Sequence, residues 1–402
     1  PLQQFGLEYI YPEIAAAHPF DDGTAAFCNH SLAETAKALG ADEQAYLKLF
    51  GPIIQSWPDI DAEVLGPLGF PKHPMEMARF GWSALSAAST LVRRFDTVQA
   101  KSLFAGMAAH SMQPLTNMAT SGFGTVLLAL AHQGGWPIPK GGSQNIANAL
   151  AAYFVSLGGE IETNFFVSSL SQLPSVKAVL FDVTPRQLLQ IAGHKFSSIY
   201  KWQLERYSYG MGVFKIDWAL AEPIPFTAQQ CREAGTLHIG GTYDEIVASE
   251  QQIWDGQHPE KPFVLLTQPS LLDATRAPTG KHTGWAYCHV PNGSAKDMTA
   301  IIENQVERFA PGFKERILAR HTMDTAQMQE HNPNYIGGDI AGGITDLGQL
   351  FTRPALRLSP YRTSAKGLYI CSSSTPPGGG VHGMCGYNAA KRTLRDVFNV
   401  QI

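Results

Sequence analysis

The stretch GLYICSSSTPPGGGVHGMCGYNAAKRTL, residues 367–394, sets the reading of everything around it. LYIC is a short apolar run of the kind that forms a buried strand. Three serines and a threonine follow, then Pro376 and Pro377, then Gly378, Gly379 and Gly380. The prolines stiffen the turn, and the glycines let a ligand approach the main chain. The next segment has helical spacing with small residues at Gly383, Gly386, Ala389 and Ala390. A helix starting there leaves unpaired amides at the positive end of its dipole. Two readings stay open on physics alone: a site for an anion or for a ring that becomes anionic, or a flexible loop before a well-packed helix.

Working outward, strands and helices alternate in the second part of the chain, from residue 134. GGWPIPKGGSQNIANALAAYFVSLGGEIETNFFV (134–167) reads as a helix stopped by Gly158 and Gly159, then a strand. KAVLFDVTPRQLLQIAG (177–193) repeats the plan, with Thr184 and Pro185 suited to the cap and first turn of the helix. Such alternation predicts a largely parallel α/β layer. Between residues 200 and 330 short strands dominate: VFKIDWAL, GTLHIGG, PFVLLTQP and HTGWAYCHV. One helix interrupts them, with Ser294 expected as cap, Asp297 in its first turn, and Met298, Ile302, Val306 and Phe309 on its apolar face. The first part reads as helices. Ser31 and Glu34 form a capping-box pattern, and the stretches after it are rich in Ala, Met and aromatics.

Bulk properties narrow the functions. A net charge of −4 without a dense Lys/Arg run argues against nucleic acid as partner. No apolar run approaches the ~18 residues of a membrane span. Five widely spaced cysteines make neither a disulfide framework nor a zinc site, so no metal is expected and a reducing, cytoplasmic setting is. There is no GxSxG elbow, P-loop or HExxH.

The 367–394 segment resembles the C-terminal flavin-binding signature of the phytoene desaturase-like FAD-dependent oxidoreductases, a branch of the amine oxidase and glutathione reductase type flavoproteins. Residues 134–161, 178–189, 281–291 and 331–340 resemble further segments of the family in the same order. The resemblance implies a mixed α/β fold. An FAD/NAD(P)-binding Rossmann-like domain, lacking its first βαβ unit, would interleave with a substrate domain of mixed sheet and helical cap. The expected boundaries are 1–135 for the helical cap, 136–195 for one part of the FAD domain, 196–345 for the substrate sheet, and 346–402 for the C-terminal part of the FAD domain.

The same resemblance assigns cofactor contacts to Gly141, Gly142 and Ser143, to Val167 at the adenine end, and to Ser372 and Ser373 at the pyrophosphate or ribityl chain. Gly379, Gly380, Val381, His382 and Gly383 would lie along the ring, with His382 the one candidate catalytic side chain. Many members carry glycine where this chain has Ser372. The family's GxGxxG fingerprint is not found, and PLQQFGLEYIYPEIAAAHPFDDG (1–23) resembles sequence downstream of it. The expectation is therefore a piece of a longer flavoenzyme that binds FAD poorly by itself. The implied partner is an apolar small-molecule substrate, isoprenoid or lipid-like, oxidised by hydride transfer to FAD. Peripheral membrane contact and a homo-oligomer are compatible with the composition. The alternative is a non-catalytic carrier of apolar ligands, or a partner-binding scaffold, of the same ancestry. Trp285, Tyr287 and Tyr335 read either as pocket lining or as core, and His282, His289 and His331 as structural histidines.

Overall fold

The computed structural model describes residues 1–401; Ile402, the last residue of the expected C-terminal part of the FAD domain, lies outside the described residues. In chain order the strands among them are β1 (Tyr9–Ile10), β2 (Ile14–Pro19), β3 (Ala25–Asn29), β4 (Ile138–Pro139), β5 (Val179–Phe181), β6 (Gly212–Leu220), β7 (Ala234–Ile239), β8 (Val264–Thr267), β9 (His282–Val290), β10 (Ile317–Met323) and β11 (Leu368–Ile370). Seven of them form one sheet in the order β10-β6-β9-β8-β7-β2-β3. Every neighbouring pair is antiparallel except β2 with β7.

Alternation along the strands divides the two faces of this sheet. Phe214, Ile216, Trp218, Leu237, Ile239, Val264, Leu266, Ala286 and Cys288 form one core with Ile302, Val306 and Phe309 of the helix Thr299–Phe309. The opposite face carries Phe263, Leu265 and Tyr287 against a helical layer that includes Tyr46, Phe104 and Met107. The helix Val98–Ala109 is buried almost all round between that sheet face and the helix Thr120–Gly134, so it carries no amphipathic stripe. Gly106 makes the contact possible: a Cβ there would stand 2.7 Å from Nδ1 of His238.

The purely helical reading of the first part fails at residues 9–29, where β1, β2 and β3 form. β2 is IAAAHP, buried at every position and paired on both sides. A strand covered on both faces shows no period of two, and its alanines lack the β-branched signal. The helix start is as expected downstream: Ser31 caps Leu32–Ala38 by accepting from the Glu34 amide. Ser294 does not cap Thr299–Phe309; its Oγ accepts from Lys296 N, and Asp297 accepts from Thr299 N. Thr184 sits before the helix Pro185–Ala192, but its hydroxyl donates to Gln187 instead of accepting a helix amide.

The second sheet holds β11 and β5 in parallel, with Ile370 opposite Phe181. Phe181, Leu188, Ile191, Phe196, Tyr200 and Ile370 make its core. The helix Gln144–Ser156 ends before Gly158 at φ +86°, as expected. The strand expected over 159–167 is absent: those residues are irregular, and Phe165 and Phe166 are exposed. No described strand lies beside them to accept their main-chain hydrogen bonds. No described helix is long and apolar enough to cross a membrane.

Candidate functional site

The turn between β11 and the helix Met384–Phe398 is built by hydroxyl groups that fold inward. Cys371 N donates to Phe181 O at the end of the parallel pair. Ser372 Oγ donates to Val183 O at 2.8 Å, and Thr375 Oγ1 to Ser372 O at 2.7 Å. Ser374 Oγ donates to Gly342 O at 2.7 Å. Ser372, Ser374 and Thr375 are each buried. The hydroxyl of Ser372 is therefore used to pin the turn. Gly378 at φ +111° and Gly383 at φ +66° supply the two reversals. Both lie in the left-handed region that an L side chain resists.

Beyond Gly378 the character changes from buried to open. Gly379, Gly380, Val381, Gly383, Gly386 and Ala390 are exposed. A Cβ on Gly386 would meet nothing within 4 Å. Ala389 is buried as close packing requires, while Gly383, Gly386 and Ala390 leave a shelf of small residues, with Val381 and Tyr387 also exposed. His382 closes the edge of the shelf. Its ring is half-buried and its Nδ1 accepts from Met384 N at 3.0 Å, which fixes the neutral Nε2–H form. Burial holds its pKa below the usual value.

A second loop supports the turn from below. Asp339 is fully buried, and its carboxylate accepts from the amides of Gly210, Ala341 and Gly343 at 2.7–3.0 Å. Burial raises its pKa, and these N–H groups oppose the rise. Gly342 O accepts from both Ser374 and Tyr207. Tyr207 in turn receives Arg353 Nη2 at 3.0 Å. Arg353 is 1% exposed and has no ion-pair partner among the described residues. Its Nη1 lies under Gly378, 2.9 Å from where a Cβ would stand. Gly379 touches Ala341 in the same way, at 3.0 Å from its carbonyl oxygen.

Ala341 also belongs to an apolar cluster on the seven-stranded sheet. Met112, Met211, Val213, Ile253 and Met328 pack there with Tyr287, Tyr335 and Ile340. Trp285 and Tyr287 stack on the same strand face, 6.2 Å apart and 11° from parallel. Lys215 and Asp217 of β6 stand opposite them in register and pair with each other. The glycine turn, the Asp339 loop and this aromatic face are thus joined by direct contacts.

The remaining expected contacts are distributed differently. Gly141 and Gly142 stand before the helix Gln144–Ser156. There Asp273 Oδ2 accepts from Gly141 N, and Arg276 donates to Gly141 O. Ser143 precedes that helix without capping it. No hydrogen bond among the described residues links these three to the 372–383 turn. Val167 packs into the core of the β5–β11 layer although it is not in a strand. Ser373 is half-buried with its Oγ against Gly342. Cys371 sits at the turn, but burial pushes its thiol up to about 12, which removes thiolate chemistry. Among the described residues no group of His, Cys, Asp and Glu could hold a metal ion.

Sequence reasoning missed Arg353, Asp339's three amide bonds, His110, His238 and Glu250. For His289 a signal existed. The alternation in HTGWAYCHV puts Trp285, Tyr287 and His289 on one face. His289 Nδ1 is 2.8 Å from Glu250 Oε2, both buried, while its Nε2 has no partner among the described residues. It is therefore only half satisfied.

No family model matches the chain. The pyridine nucleotide-disulfide oxidoreductase domain-containing protein 2 of Rattus norvegicus is 28% identical over 332 residues, 71% of this chain and 57% of that protein. The lycopene-forming phytoene desaturase of Pseudescherichia vulneris is 25% identical over 305 residues, 68% of this chain and 59% of the desaturase. The chain spans less than two thirds of the length of either relative. Among solved structures, putrescine oxidase bound to putrescine superposes with a TM-score of 0.60 at 16% identity, covering 99% of this chain and 84% of that one. Cyclohexylamine oxidase from Brevibacterium oxydans gives 0.53 at 11% identity, over 96% and 82% of the two chains. These two likenesses carry the fold, and the sequence relatives carry the lineage. In sequence the chain is thus similar to oxidoreductases that include phytoene desaturases, and in fold to the amine oxidases.

Proposed function

We propose that this chain carries the flavin ring site of an FAD-dependent dehydrogenase or desaturase that oxidises an apolar, isoprenoid- or lipid-like substrate by hydride transfer. The observation that carries the reading is the shelf of small residues at the start of the helix Met384–Phe398. A planar ring fits a surface of small residues, and bulk at Gly386 would fill it. The helix Met384–Phe398 begins beside that surface, and the positive end of its dipole favours negative charge there. Ser372 offers main chain rather than its hydroxyl, which donates to Val183 O, and Ser373 Oγ lies against Gly342. His382 presents only Nε2–H to a ligand, so at neutral pH it donates a hydrogen bond and takes no proton at Nδ1.

Bound flavin supplies the two-electron acceptor, and the protein's part is placement, exclusion of water and electrostatics. The methionine-rich cluster beside Ala341 gives an apolar substrate an adaptable wall. Trp285 and Tyr287 add aromatic area beside that wall, with the Lys215 ammonium over the Trp285 ring. The Arg353–Tyr207–Gly342 chain and the Asp339 carboxylate hold the two loops that bring wall and shelf together. The test is to supply a strand–GxGxxG–helix segment, fused or in trans, load FAD and add apolar isoprenoid substrates anaerobically. Bleaching of the visible flavin band is the expected result. Flavin that stays oxidised with every apolar substrate contradicts the substrate class, and no flavin uptake contradicts the function.

A further inference from the structure

Four histidines and a glutamate lie in one layer between the seven-stranded sheet and its helical cover. His18 of β2, His238 of β7 and His289 of β9 are 0–1% exposed, and Glu250 of the helix Tyr243–Trp254 is 0% exposed. The register of Ala17 with Leu237 sets His18 beside His238. His110, at the end of the helix Val98–Ala109, meets His238 with the two Nε2 atoms 3.0 Å apart. Phe263 bridges the layer, its ring 5.6 Å from His238 and 6.0 Å from His289. Tyr287, Phe20 and, edge-on to His110 at 6.3 Å, Trp136 are further rings that face it. Glu245 is the further acid near His18.

The layer is polar yet poorly satisfied. Among the described residues, His18 Nδ1, His238 Nδ1, His289 Nε2 and Glu250 Oε1 have no hydrogen-bond partner. Orphaned buried polar atoms cost stability, so this many in one layer call for a cause other than packing. The layer also adjoins the site proposed above. Thr345 Oγ1 donates to Ser111 O, and Gln113 Nε2 donates to Thr345 Oγ1, each at 3.0 Å. Met112, Tyr287 and Ala341 share one cluster, and Ala341 touches Gly379. His110 is the member that is only half-buried.

We propose that His110 and His238, backed by the His289–Glu250 pair, form the proton-accepting relay of the oxidation, with His110 as the group that meets the substrate. The inference rests on the flavin reading above. When the substrate loses hydride to flavin, the C–H bond next to the electron-poor carbon breaks. Its electron pair forms the new double bond, and its proton goes to Nδ1 of His110. The proton on Nε2 of His110 then crosses to Nε2 of His238. The Glu250 carboxylate, held by His289, offsets the positive charge within the layer. Burial keeps both members of the histidine pair uncharged at neutral pH, His110 with a pKa of about 4. A weak base suffices, because a C–H beside a cationic carbon is strongly acidic.

Two arms test this. In the ¹⁵N-histidine-labelled 402-residue chain, imidazole NMR is expected to show His110 and His238 titrating as a coupled pair. Their shared proton should be lost in His238→Gln, and Glu250→Gln should shift the pair's midpoint. Independent titration, unmoved by either substitution, overturns the relay without reference to flavin. In the flavin-loaded protein, His110→Gln is expected to slow flavin reduction by about 100-fold with flavin affinity unchanged. Added imidazole is expected to restore part of the rate in His110→Ala. Reduction at the wild-type rate in His110→Gln overturns the proposal while leaving the flavin site standing. Failure of the wild-type protein to take up flavin when supplied with a strand–GxGxxG–helix segment defeats the function itself.

Discussion

At the scale of single residues, the molecule spends buried polar groups in two places. One is the Asp339–Arg353–Tyr207 set that locks two loops together, and the other is the histidine layer under the sheet. His18 shows the consequence most simply. Its Nε2 donates to Gly241 O, its Nδ1 has no partner among the described residues, and burial lowers its pKa to about 4 from 6.5. The folded form is thus favoured when His18 is neutral. That stability is present above pH 6.5 and is lost as the pH falls towards 4. A pKa lowered that far puts roughly 3 kcal/mol of stability at risk through this residue alone. Urea unfolding from pH 7 to pH 4 is expected to show a falling midpoint, with a shallower fall in His18→Gln. A midpoint that is flat across that range, or the same slope in the variant, contradicts the assignment. None of this is legible in the sequence, because a histidine in a six-residue, alanine-rich strand looks the same there whether buried or exposed.

At the scale of elements, legibility follows the neighbours each segment has. β6, β7 and β9 are readable because one face packs on a helix and the other on different chemistry, so a period of two survives in VFKIDWAL and HTGWAYCHV. β2 is not, because both faces are covered and the residues are small. The segment 159–167 has strand-like composition and yet is irregular, since a strand needs a partner for its amides as well as a pattern. Hydrogen exchange is expected to be fast at Ile161 and Glu162 and slow at Ile216 and Ala286, whose strands are paired on both sides. Equal protection of the two groups would show that 159–167 is paired after all. The glycine turn is legible in kind but not in detail. Its bareness can be read from Gly379, Gly380 and Gly383. The inward hydroxyls of Ser372 and Ser374 depend on Val183 and Gly342, which lie 189 and 32 residues away.

At the scale of the whole molecule, two layers meet at one place. The β5–β11 layer delivers the shelf, and the seven-stranded sheet delivers an aromatic face and a methionine-rich wall. The contacts between them pass through Ala341, Gly342 and Gly343, which touch Gly379, Ser374 and Tyr207. The proposed oxidation uses both, the shelf at the helix start and the apolar cluster that meets it through Ala341. The expected division at 1–135, 136–195, 196–345 and 346–402 is kept as a proposal, with β2 and β3 lending the first segment to the sheet.

The most direct measurement is an FAD titration of the wild-type protein and of Gly386→Leu, each supplied with the dinucleotide-binding segment and followed by flavin fluorescence and thermal unfolding. Gly386 lies within a helix, is exposed and has open space beyond it. Leucine there therefore leaves the fold intact and gains up to about 1 kcal/mol of helix propensity. The account predicts about one flavin per wild-type chain, and at least a tenfold loss of affinity in Gly386→Leu with an unchanged or higher Tm. Equal flavin affinity in the two proteins would place the ring elsewhere and contradict the central claim.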